Sequence, residues 1–318
     1  MSTLITSGCS YTQYQYPCWN MWLGQHYDKH IPLGKAGTGP KYSYIRIRDY
    51  FKYQNETDPK DHHVIVQWSS LLRHDYRINY SKWSGGGVIT NNPLFSDDYP
   101  EKYFNLIDST CDLLYYIESL ISLSKELGFK LHMLYMFEPW IEKFFGEPTA
   151  SDIQKVNKGY NDWISSEYLK SLKKHYESDY FIPCSIESFC FDNPKETLGS
   201  NPHDFKSPLH SEELPISPLT DSHPSPLQHF QYYTYLSSHL KLRPPLEEWK
   251  AMAEQLNSII YNPKTYEIFI DIFHVLVVCN TSLWYWKTNG NLRTEHQQHD
   301  IDLIKKCLIE FNKKVNVT

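Results

Sequence analysis

The chain has 318 residues, with 31 Lys and Arg against 37 Asp and Glu and a net charge of −6 with histidine neutral. That length can bury a large core, in one α/β domain with additions. The acidic balance leaves no basic stripe for a phosphate backbone, so nucleic acid is not an expected partner. The most apolar late segment, 268–279, is short and carries Asp271 and His274, and no basic stretch leads into a long apolar run near the start. Neither a membrane span nor a secretory leader is therefore expected. Seven cysteines, at 9, 18, 111, 184, 190, 279 and 307, are odd in number, dispersed and without a C-x-x-C pair. This argues against a disulfide framework or a structural zinc site and for a reducing, cytoplasmic compartment.

In chain order, Leu4-Ile5-Thr6-Ser7-Gly8-Cys9-Ser10 reads as a short apolar strand that ends in small residues and leaves Ser10 at its carboxyl end. A helix with proline in its first turn is predicted over 17–23, and a second strand over 30–33. Gly34, Gly37 and Gly39 follow, and they permit positive φ and close approach of a ligand to the backbone. Helical spacing covers 42–51, and Val64-Ile65-Val66-Gln67-Trp68 has the composition of a buried parallel strand that ends in Ser69-Ser70. A long irregular region with Arg73, Asp75 and Arg77 comes next. An amphipathic helix is predicted over 106–127 with Gly128 as its stop, then a fourth strand over 130–136, a long helix over 152–175 and a fifth strand over 180–182. The alternation predicts a parallel sheet covered on both faces, with ligands beyond the carboxyl ends of its strands.

The stretch 193–226 is rich in proline and serine and contains Asp221-Ser222-His223-Pro224 ahead of a helix predicted over 227–240. Prolines there hold His223 at a helix entrance, and a carboxylate two residues earlier suits an imidazole that needs orienting. From about residue 244 strand signals stop, and 246–260 and 301–311 read as amphipathic helices. His296 and His299 share a helical spacing but have no third ligand placed with them, and His62-His63 is a loop pair, so no metal site and no cofactor are expected.

Gly8-Cys9-Ser10-Tyr11-Thr12, Gly37 after the second strand, Trp68-Ser69-Ser70 at the end of the third, and Asp221-Ser222-His223-Pro224 together resemble the four sequence blocks of SGNH/GDSL hydrolases. In pattern they are most similar to the divergent SGNH-like proteins of tailed phages. The resemblance covers about residues 1–243, taking a domain as the unit. It implies a three-layer α/β/α, flavodoxin-like fold with a five-stranded parallel sheet (domain 1–243), followed by a helical C-terminal appendage (244–318). It also implies Ser10 as nucleophile, His223 as general base, Asp221 as its orienting acid and Gly37 as an oxyanion-hole amide. Two departures stand out. The asparagine of the third block is absent around Ser69, Ser70 and Leu71, leaving Ser69 and Arg73 as candidates for its role, and the acid precedes the histidine by two residues rather than three.

The implied activity is that of a serine esterase or carbohydrate O-deacetylase acting on a small-molecule or carbohydrate ester. An SGNH-like module kept for carbohydrate binding or virion structure is the alternative, and an acyltransferase using the same residues is a third reading. The C-terminal helices are the expected route to a homo-oligomer or to virion assembly. A phage-encoded chain would then reside in the host cytoplasm or in the particle.

Overall fold

The computed structural model describes residues 2–13, 17–53, 58–77, 83–84, 104–136, 138, 160–192, 224–260, 262, 265, 268, 272 and 299–315. Runs of β-branched and apolar residues make the sheet: β1 (Thr3–Ser7), β2 (Lys29–Pro32), β3 (His62–Trp68) and β4 (Lys130–Tyr135), in the order β2-β1-β3-β4. β1 pairs in parallel with β3, Ser7 opposite Val66, and β3 in parallel with β4, Trp68 opposite Tyr135. Every residue of β1 and of β3 is buried, so both faces of the central strands are shielded from solvent, as their composition requires. Each buried Ile or Val there contributes about 1.5–3 kcal/mol relative to exposure.

Among the described residues the sheet has four strands, not five. Residues 180–182 meet β4 only as a single parallel bridge, Met133 to Phe181, made by Met133 N–H to Tyr180 O at 2.7 Å and Ile182 N–H to Met133 O at 3.0 Å. The next N–H that a parallel ladder would need is that of Cys184, but Cys184 stands at φ 71, outside the extended region, and its N–H donates to Tyr176 Oη at 2.8 Å, so the pairing stops there.

The chain forms two compact units, Met1–Tyr14 with Pro32–Phe189, and Gln15–Ile31 with Cys190–Thr318. In the first, α2 (Pro40–Tyr53) packs on α3 (Leu106–Leu127), with Tyr44 stacked on Tyr116 at 5.0 Å between centroids. The ends of α3 follow its sequence: Asn105 accepts from Ile107 N–H, and Gly128, at φ 82, closes the last turn. The long helix predicted over 152–175 is two pieces where it is described, α4 (Tyr160–Ile164) and α5 (Glu167–Tyr176), because Ser166 caps a new start by accepting from Leu169 N–H. Residues 152–159 lie outside the described ones. The unit ends at Phe189, within a short α6 (Ile186–Asp192).

The second unit gathers α1 (Trp19–Gly24), α7 (Pro226–His239), α8 (Glu247–Ile260) and α9 (His299–Val315). Its core is aromatic: Trp22 meets Phe230 edge-on at 5.4 Å, and Tyr233 lies 6.2 Å from Trp249. Arg243 covers Trp249 and donates to Gln25 O at 2.9 Å. Arg243, after which a domain boundary was expected, lies inside this unit, and α7 and α8 on either side of it share the Tyr233–Trp249 contact. Among the described residues no helix is long and apolar enough to cross a membrane.

Candidate active site at the carboxyl edge of the sheet

With the order β2-β1-β3-β4, the chain leaves β1 toward one neighbour and returns on its other side to form β3. The loops after β1 and β3 thus diverge, which is where open α/β sheets bind ligands. The loop after β1 is a tight turn. Thr12 N–H and Thr12 Oγ1–H both donate to Cys9 O, at 2.9 and 2.8 Å, and Ser10 lies within the turn, buried. Gly8 is needed at its entry, because a Cβ there would stand 2.7 Å from Thr12 Cγ2 and 3.1 Å from Gln67 Cβ.

The loop after β2 is stitched to this turn. Lys35 N–H donates to Gly8 O at 3.0 Å, Thr38 Oγ1–H reaches Gly8 O at 3.3 Å and Lys35 O at 2.6 Å, and a Cβ on Gly34 would collide with Thr12 Oγ1. Gly37 sits between them at φ 78, a conformation that glycine adopts at little cost. The loop after β3 holds the same segment from its other side: Ser69 Oγ–H donates to Thr38 O at 3.1 Å and Arg73 Nη1–H to the same oxygen at 3.4 Å. The structure thus brings the segments bearing Ser10, Gly37, Ser69 and Arg73 together on one edge. Ser69 spends its only hydroxyl hydrogen on Thr38 O, whereas Arg73 keeps a buried Nε–H without a partner. His223 and Asp221 lie outside the described residues. Just beyond them, Ser225 and Gln228 form a capping box at the start of α7, so the helix predicted behind His223 is present.

Three further side chains, none of them expected as site residues, belong to this edge. Asp75 takes Gly39 N–H on Oδ1 at 2.7 Å and Tyr42 N–H on Oδ2 at 2.8 Å, and so caps α2 from across the loops. Burial pushes its carboxyl above the ordinary value, against the pull of those two N–H groups and of Arg73. The signal was Pro40 at a helix start behind Gly39, a residue with no side chain to cap with, so the acceptor had to come from elsewhere. Gln67 is a fully buried amide in an otherwise apolar stretch of β3, and both its Oε1 and Nε2 lack hydrogen-bond partners. Glu138, after β4, accepts from Ser185 N–H and Oγ–H at 2.9 and 2.6 Å, from Ser188 Oγ–H at 2.8 Å and from Tyr176 O–H at 3.2 Å.

A groove of about 340 Å³, lined in part by Ser124, Lys130, His132 and Tyr180, opens at the start of β4, the opposite edge. His132 Nδ1 there lies 2.7 Å from His63 Nε2, so the two rings engage each other, and His63 is held well below the ordinary imidazole value chiefly by burial. The groove's serine is committed as well, since Ser124 Oγ–H donates to Ile121 O at 2.8 Å. The candidate site is therefore assigned to the carboxyl edge. Among the described residues no cluster of three metal-ligating side chains occurs. In comparisons with known proteins, the chain matches no family model, no curated protein and no solved structure.

Proposed function

We propose that the chain is a serine ester hydrolase, of the esterase or carbohydrate O-deacetylase type, on a three-layer flavodoxin-like fold of the SGNH kind that its motifs resemble. The observation that carries this reading is the buried Ser10 in a tight turn at the switch point between β1 and β3, with the Gly37 loop hydrogen-bonded onto that turn. In this reading Ser10 Oγ attacks the ester carbonyl carbon and its proton passes to the His223 imidazole, which Asp221 orients. The carbonyl oxygen gains negative charge and is met by the backbone at Gly37. The C–O bond to the alcohol then breaks, the alcohol leaves with the proton from His223, and water, deprotonated by the same base, releases the acid from Ser10.

A second reading, an inactive SGNH-like module for carbohydrate binding or virion structure, is favoured by one observation. Ser69, a candidate donor in the third loop, is committed to Thr38 O rather than to a substrate.

A fluorophosphonate probe separates the two. The hydrolase labels once, at Ser10, and Ser10→Ala or His223→Ala abolishes labelling while leaving the circular dichroism spectrum unchanged. Asp221→Ala lowers the labelling rate less than His223→Ala. A well-folded wild type that resists probes of several sizes would establish the inactive module.

A further inference from the structure

The buried polar groups at the carboxyl edge are not alike. Glu138 and Asp75 are both buried and both hydrogen-bonded. Gln67 is equally sequestered, at 0% exposure, yet neither atom of its amide has a partner. Leaving a buried amide unbonded is costly, and the usual compensation is a ligand or water that completes it. Its place narrows the choice. Ser7 pairs with Val66, so the next residues, Gly8 and Gln67, lie level on the two strands, and Gln67 Cβ is 3.1 Å from where a Gly8 Cβ would stand. Gly8 is the residue from which the Ser10 turn departs, and the absence of a side chain there leaves Gln67 directly beside that turn. Ser7 Oγ and Trp68 Nε1 also lack partners, but the alternation of the strands puts them on the opposite face.

We infer that Gln67 is a substrate-contacting donor of the Ser10 site, its Nε2–H meeting the acyl oxygen that becomes negative when Ser10 attacks. This rests on the reading of Ser10 as the nucleophile. It assigns to β3 itself a side-chain donor that Ser69, committed to Thr38 O, does not supply. The amide stays unbonded until substrate arrives, so no ground-state hydrogen bond has to be broken as charge develops. It also explains why an amide stands next to last, at the carboxyl end, of a strand in which all seven residues are buried.

The test uses the full chain, a fluorophosphonate whose phosphoryl oxygen takes the place of the acyl oxygen, and the variants Gln67→Met, of equal length, and Gln67→Leu. Both are expected to melt at the wild-type temperature or above it, because an unbonded buried amide is exchanged for an apolar group. Both are expected to label about 10²- to 10³-fold more slowly. The pH at which the labelling rate is half its maximum should not move, because Gln67 acts on the oxygen and not on the base. A purely structural glutamine gives the reverse, a lower melting temperature with the labelling rate unchanged, and that result overturns the inference alone. A wild type that does not label at all overturns the nucleophile and, with it, the role of Gln67 as its oxyanion donor.

Discussion

Two loop regions on the same edge of the sheet treat buried polar groups in opposite ways. After β4, the Glu138 carboxylate gathers four donors from Tyr176, Ser185 and Ser188, and this ties α5 and the start of α6 to the end of the strand. Around the ends of β1, β2 and β3, the backbone turns on Gly8, Gly34 and Gly37, and Gln67 is buried with its amide unbonded. The first arrangement is what stability selects, since a fully satisfied network rigidifies its surroundings. The second is what a site selects, since groups that must meet a substrate cannot all be spent on the protein. The contrast assigns a different consequence to each residue.

The largest effect is expected at Glu138. Glu138→Ala leaves a buried N–H and three hydroxyl groups without their acceptor, and a loss of about 3 kcal/mol in urea-unfolding stability should follow, at about 1–3 kcal/mol for a stranded group with the others partly recovered by water. An unchanged unfolding midpoint would remove the distinction between the two regions.

Asp75 is intermediate, being a structural cap inside the candidate site. Its folded carboxyl is raised, so the stability it contributes is fully present below the unfolded value of about 3.9 and is lost as pH rises through the folded value. Asp75→Asn cannot titrate. Thermal melts of the variant from pH 4 upward should fall less steeply than those of the wild type, with about 1 kcal/mol lost at low pH because an amide caps two N–H groups less well than a carboxyl. Parallel curves for the two proteins would contradict the assignment. Gly37→Ala, which places a Cβ at φ 78, should be the mildest in stability, about 1 kcal/mol, while distorting the loop that holds Gly8 O and Thr38. In the proposed hydrolase it is therefore expected to slow probe labelling far more than its change in melting temperature suggests.

How legible each feature is in the sequence follows from how local its cause is. α3 ends where Gly128 permits a left-handed turn, α7 starts where Ser225 and Gln228 cap each other, and β3 is the buried run 64–68 extended by two histidines. Each is decided within a few residues. The expected fifth strand fails because apolar composition at 180–182 says nothing of the positive φ at Cys184 or of the Tyr176 hydroxyl that takes its N–H, which together end the pairing. The break at Ser166 is hidden because helical periodicity continues across it. In the site, the strand pattern alone places Ser10, Gly37, Ser69 and Arg73 on one edge. It does not reveal the roles of Asp75 and Gln67, because one depends on backbone N–H groups 33 and 36 residues away and the other on the lack of a partner in three dimensions.

If the Ser10 turn is the chemical centre of the molecule, trapping a covalent intermediate tests that claim most directly. The chain is mixed with 4-nitrophenyl acetate, quenched in acid within the first turnover and digested for mass spectrometry. A burst of about one nitrophenolate per chain and one acetyl group on the peptide containing Ser10 are expected, both lost in Ser10→Ala. Steady release without a burst, with the Ser10 peptide unmodified or the acetyl group on Cys9 or a lysine instead, would contradict the claim.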